Sequence, residues 1–144
     1  MATVKGVNKT KIDNGGLSNM LDAGYQDGRV KVALDTYEAS ALASGSLIEM
    51  CGDLPQGARI IDVILTMDAT INANIQLLVG DSTDDDRYID ATGSAAVQTV
   101  HCEMVEGFDY VIGTASADSQ IIVKTTGLSA ATGTLKLVVL YSTD

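Results

Sequence analysis

The sequence predicts an all-β domain: a two-sheet sandwich of jelly-roll or related Greek-key type, with eight or nine strands behind an extended N-terminal arm. Three observations carry this expectation. After Arg29 the chain breaks into short runs of alternating or continuous β-branched residues separated by Gly, Asp, Ser and Thr. Between those runs no long segment shows the 3.6-residue apolar period of an amphipathic helix, which argues against an α/β fold. Apolar residues make up 46% of the chain, yet only five Tyr and one Phe are aromatic, so the core must be built from Val, Ile, Leu, Met and Ala. At 144 residues the chain has room for one domain of ordinary size, expected over residues 29–144, with residues 1–28 as the arm.

The arm is irregular and polar, with turn signals at Asn14-Gly15-Gly16 and Asp27-Gly28 and a stretch at 17–21 that suits one helical turn. The first strand is expected at 30–37, with Val30, Val32 and Leu34 on its core face. Residues 38–45 read as a connection with some helical content, followed by a short strand at 47–51. Asp53 to Gly57 forms a turn around Pro55, the single proline. The strongest element is 59–68, with Ile61, Val63, Leu65 and Met67 on one face and Ile60, Asp62, Ile64, Thr66 and Asp68 on the other, as in a central strand. Further strands are expected at 75–79, 87–89, 99–104, 110–112, 120–126 and 134–142.

The faces opposite the expected core carry a functional signal. Ile60, Ile64, Leu78, Ile122, Val138 and Leu140 are apolar where a solvated sheet face is polar. They are expected to form an oligomer or partner interface, the other reading being that the arm covers them.

Charge excludes several partners. The net charge is −10, with residues 1–31 at +2 and residues 32–144 at −12. An acidic body repels phosphate backbones and anionic membranes, so neither nucleic acid nor a membrane is an expected partner. No apolar run approaches the roughly 20 residues of a membrane span. The N-terminus lacks a secretory pattern, so assembly in a cytoplasm is expected, with Cys51 and Cys102 as free thiols. Lys5, Lys9, Lys11 and Arg29 are the expected anchors of a slightly basic arm on an acidic protein surface.

Little in the chain points to catalysis. His101, the only histidine, sits beside Cys102 with no visible partner for nucleophilic chemistry. Phosphate loops and zinc spacings are absent. Asp81, Asp84, Asp85 and Asp86 are the one metal-like constellation, a weak calcium pattern without EF-hand spacing, and a solvated turn is the default reading. No cofactor is expected. A carbohydrate platform is poorly served by scattered tyrosines at 25, 37, 88, 110 and 141 and no Trp.

Five segments resemble small virion structural proteins of tailed bacteriophages. They are Ala2-Thr-Val-Lys-Gly-Val-Asn-Lys-Thr-Lys, Gly28-Arg-Val-Lys-Val-Ala-Leu-Asp-Thr-Tyr-Glu-Ala, Leu54-Pro-Gln-Gly-Ala-Arg-Ile-Ile-Asp-Val, Val79-Gly-Asp-Ser-Thr-Asp-Asp-Asp-Arg-Tyr-Ile and Gly133-Thr-Leu-Lys-Leu-Val-Val-Leu-Tyr-Ser. Within that group the chain is most similar to capsid decoration, or cement, proteins. The resemblance implies a non-enzymatic virion component on the capsid exterior. It implies the major capsid protein as partner and a homo-oligomer, with a trimer favoured. The alternative it leaves open is a tail or head-fibre component that contacts the host surface.

Overall fold

The computed structural model describes residues 29–68, 74–93, 98–114, 116–128 and 130–143, together with Asn14 and Gly16. The helical turn expected at 17–21 and Lys5, Lys9 and Lys11 lie outside the described residues. Among the described residues the chain forms eight strands. They are β1 (Arg29–Leu42), β2 (Leu47–Met50), β3 (Arg59–Met67), β4 (Ile75–Gly80), β5 (Ile89–Gly93), β6 (Gln98–Val100), β7 (Ile121–Gly127) and β8 (Ala131–Thr143), with one helical turn, α1 (Ser116–Ser119), before β7.

The strands make two antiparallel four-stranded sheets, ordered β1-β8-β3-β6 and β2-β7-β4-β5. This is the strand order of a jelly roll, in which every connection but that from β4 to β5 passes between the sheets. The core lies between them. Leu65, Met67, Leu135, Leu137 and Val139 come from the β1 sheet, and Ile48, Met50, Ile75, Leu77, Val79, Ile121 and Val123 from the β2 sheet. Aliphatic side chains at every second position fill this layer as composition requires, and Tyr88 is the only fully buried aromatic ring among the described residues.

Three expectations are corrected. On β1 the core face is the one with Ala33, Tyr37 and Ala39, while Val30, Val32 and Leu34 are 62–66% exposed. The register with β8 decides this. Leu137 and Val139 point into the core opposite Asp35 and Ala33, which leaves Val32 and Leu34 beside Leu140 and Val138 on the outer face. Asp35 is tolerated on the inner side because its carboxylate accepts from the amides of Thr36 (2.7 Å) and Cys51 (3.1 Å) at the sheet's edge.

The connection expected at 38–45 is mostly strand, because β1 runs on to Leu42. It does so through a register shift between Ala39 and Leu42, with Ala41 at φ 50° and its amide donating to the Thr132 hydroxyl (3.1 Å).

On β3, the register against β8 shifts between Ile60 and Asp62, so Ile60 and Tyr141 face the core together and Ile61 is the extra residue. The bulge puts Ile60 inside at 1% exposure, contrary to the outer-face expectation. A bulge breaks strict alternation, and no residue type in this stretch announces it.

Both cysteines are free and half-buried. Burial, and then the nearby Asp35 carboxylate, push the Cys51 thiol up to about 11. Its thiolate fraction at pH 8 is therefore about two orders of magnitude below that of an ordinary thiol. In a Cys102→Ser variant, iodoacetamide should label Cys51 slowly at pH 8 and accelerate steeply towards pH 11. Rapid labelling at pH 8 would contradict this placement. The raised pKa favours the neutral thiol in the folded chain, so its stabilising contribution is present below the unfolded pKa and is lost as pH rises towards 11.

Candidate functional site: assembly surfaces

The outer face of the β1 sheet gathers the expected interface residues that remain available. Register places Ile64, Val138 and Leu34 in one row across β3, β8 and β1, and Asp62, Leu140 and Val32 in the next. Side chains paired across antiparallel strands share a face, so these apolar groups form one patch. Its rim is polar: Thr36, Lys136 and Thr66 make the following row. Val30, Val32 and Leu34 are the largest contribution, and sequence alternation placed them in the core.

The other expected interface residues are dispersed. Leu78 and Ile122 lie on the outer face of the β2 sheet, where Ile122 is already buried by its own chain opposite Glu49 and Gly80. Ile60 is in the core. Neither Ile60 nor Ile122 offers much surface to a partner. Arg29 opens β1 and is exposed.

A second exposed apolar group was not foreseen. The segment at 103–111 presents Val105 (88% exposed), Phe108 (62%) and Val111 (41%). It is a series of turns fixed to β3, with the Ile60 amide donating to the Tyr110 carbonyl (2.9 Å), the Asp109 amide to the Ile60 carbonyl (3.0 Å), and Arg59 paired with Asp109 (3.1 Å). The sequence signal was Glu106-Gly107-Phe108-Asp109, an apolar ring held among turn residues.

The acidic loop after β4 is a structural device. Asp81 is fully buried. Its Oδ1 accepts from the Thr83 amide (2.8 Å), the Thr83 hydroxyl (2.6 Å) and the Asp84 amide (3.0 Å), and its Oδ2 from Arg87 Nε (2.6 Å). Arg87 in turn lies 4.1 Å over the Tyr110 ring, which meets Tyr88 edge-on, so the loop is tied to the 103–111 segment. Asp81 is thus committed to its own chain, which removes it from the calcium candidates.

Asp84, Asp85 and Asp86 do converge. Asp85 pairs with Lys124 and Asp84 lies 3.8 Å from Arg87. A hydrogen bond with Asp84, aided by slight burial and the surrounding carboxylates, raises the pKa of Asp86. Lys124 and Arg87 bring positive charge to this cluster from the same chain.

His101, without a visible partner in sequence, is joined by Asp62 at 2.7 Å from Nδ1, and Asp62 also accepts the Cys102 amide (3.1 Å). Among the described residues no hydrogen bond reaches its Nε2, where a nucleophile would have to sit. The described tyrosines give no exposed platform: Tyr88 is buried, Tyr37, Tyr110 and Tyr141 pack against the core.

No protein-family model and no curated protein matches the chain. Solved structures do. A chain of the cyanophage Pam1 capsid asymmetric unit superposes with a TM-score of 0.62 at 22% identity, over 81% of this chain and 86% of that one. A chain of the capsid of Ralstonia phage GP4 gives 0.62, 22%, 81% and 86% for the same quantities. One from the acid-stable capsid of Helicobacter pylori bacteriophage KHP30 gives 0.58, 14%, 79% and 87%. The fold is shared with chains of phage capsids. The match spans nearly the whole of each neighbour, so the shared unit is the entire sandwich. Among the described residues no helix is long and apolar enough to cross a membrane.

Proposed function

We propose that this chain is a non-enzymatic structural protein of a tailed-phage virion, a capsid decoration protein that binds the outer surface of the major capsid shell and stabilises it. The observation that carries the reading is the jelly roll held in common with chains of three phage capsids. The surface supports it. An exposed apolar face on a folded sandwich marks a protein contact.

In this role the chain works as a homo-oligomer, with a trimer favoured, because a three-fold capsid position does not accommodate an isologous dimer. The basic arm, through Lys5, Lys9, Lys11 and Arg29, anchors the acidic body to the shell. Each bound oligomer adds buried area across capsomer boundaries. Binding that favours the assembled shell over its parts raises the barrier to disassembly.

A cryo-electron reconstruction of the particle tests this directly. Density for the sandwich in icosahedral register outside the major shell is the expected result. Density confined to the tail or to one vertex would overturn it. Deletion of residues 2–12 should abolish binding to particles that lack the protein, and undiminished binding would remove the arm from the mechanism.

A further inference from the structure

Phe108 is an exposed ring on a preformed mount. The Phe108 and Gly107 amides donate to the Met104 carbonyl (3.3 and 3.2 Å), and the Glu103 amide donates to the Tyr88 carbonyl (3.0 Å). Gly107 packs so closely that a Cβ there would overlap the Arg87 carbonyl. Asp109 follows at φ 68°, a conformation that residues other than glycine rarely adopt. Backbone held in this way behind an exposed apolar tip points to a contact, because a preformed segment loses little freedom on docking.

The surroundings of that tip are acidic. Glu103 and Glu106 are exposed and in no ion pair among the described residues, Asp109 keeps 40% of its side chain exposed, and Asp118 adds a carboxylate beside Tyr110. The cations that touch the segment, Arg59 and Arg87, are enclosed at 13% and 14% exposure and paired with Asp109 and Asp81. His101, just before the segment, faces Asp62. A fitting partner is therefore apolar, with positive charge interspersed among its apolar groups.

One stretch of this chain has that composition. Residues 1–12 carry three of the nine Lys and Arg residues, at Lys5, Lys9 and Lys11, and no acidic residue, interspersed with Val4, Val7 and Ile12. The stretch also lies within reach. Val30, Ser142, Arg59 and Val111 form one row across the sheet, so the chain enters β1 at the same end as the segment. The separation is three strand spacings, roughly 15 Å, and the intervening residues 13–28 can extend to about 50 Å.

We infer that, in the chain free of any shell, residues 1–12 dock on the 103–111 segment of their own molecule, with the lysines against Glu103 and Glu106 and apolar side chains over Phe108. This contact goes beyond the proposed function. The lysines assigned there to the shell are first held on the chain's own acidic surface, and attachment exchanges one acidic partner for another.

The chain has no Trp, so Phe108→Trp places a single reporter at the contact. At low salt its emission should be blue-shifted and shielded from acrylamide. Lys5→Glu, Lys9→Glu and Lys11→Glu together should raise the quenching at least about threefold, as salt at about 1 M should in the chain with its lysines. Adding Glu103→Lys and Glu106→Lys to the lysine variant should restore the shielding. In the unaltered chain, a carbodiimide should join Lys5, Lys9 or Lys11 to Glu103 or Glu106 within a monomer. Thermal unfolding close to that of the parent confirms that each variant is folded.

A reporter quenched alike with and without the lysine changes would overturn the contact, as would the absence of that cross-link from the monomer. Shielding lost on dilution would overturn it too, by assigning the segment to a second copy. All of these measurements use the chain without particles. Failure to decorate particles would remove the capsid role and leave this contact, while an exposed reporter on a chain that decorates them would do the opposite.

Discussion

Replacing Asp81 with alanine should destabilise the folded chain by about 3 kcal/mol, because it leaves the half-enclosed Arg87 guanidinium without its carboxylate and two loop amides and a hydroxyl without their acceptor. For a chain of this length that lowers the melting temperature by about 10 °C. The loss should be the same in EDTA and in millimolar calcium, since Asp81 acts within the chain. Stabilisation of the parent by calcium that vanishes in the variant would restore Asp81 to the metal candidates.

Gly80→Ala should act on the same loop by a different route. Its Cβ would run into the Asp84 carbonyl and the Asp85 backbone, which fold back over Gly80. The displaced atoms are main chain, so no rotamer change relieves the clash.

Leu137→Ala should cost about 4 kcal/mol. Leu137 is fully buried at the middle of β8, the strand held between β1 and β3, and lies against Asp35 and Leu65 in the register. The side chain is removed where neighbours on both sides are fixed by sheet hydrogen bonds, so the cavity collapses only in part. Urea denaturation should show a lower midpoint at an unchanged slope. A cost below about 1 kcal/mol would mean the sandwich interior is looser than the jelly-roll packing requires. Val138→Ala, one residue along on the outer face, is the control and should change stability far less.

The alternation of β3, β4, β7 and β8 was legible in sequence, as was the sandwich class, because a buried layer between two sheets demands apolar side chains at every second position. The acidic turn after β4 was legible as a turn. Its role was not. Nothing in Asp81-Ser-Thr-Asp84-Asp85-Asp86 distinguishes the carboxylate that turns inward from those that stay in solvent, and only the approach of Arg87 and Tyr110 makes that distinction.

The candidate assembly surface divides in the same way. By itself, the sequence determined that Ile64, Val138 and Leu140 oppose the core face of their strands, and that the chain's basic residues concentrate near its beginning. Tertiary structure decided the rest. Register against β8 turned Val30, Val32 and Leu34 outward, one bulge turned Ile60 inward, and the path of the 103–111 segment along β3 brought Val105, Phe108 and Val111 to the far edge. The physical reason is that alternation defines two faces of a strand and leaves their direction open. On an edge strand with apolar residues on both faces, the direction is chosen by the partner strand.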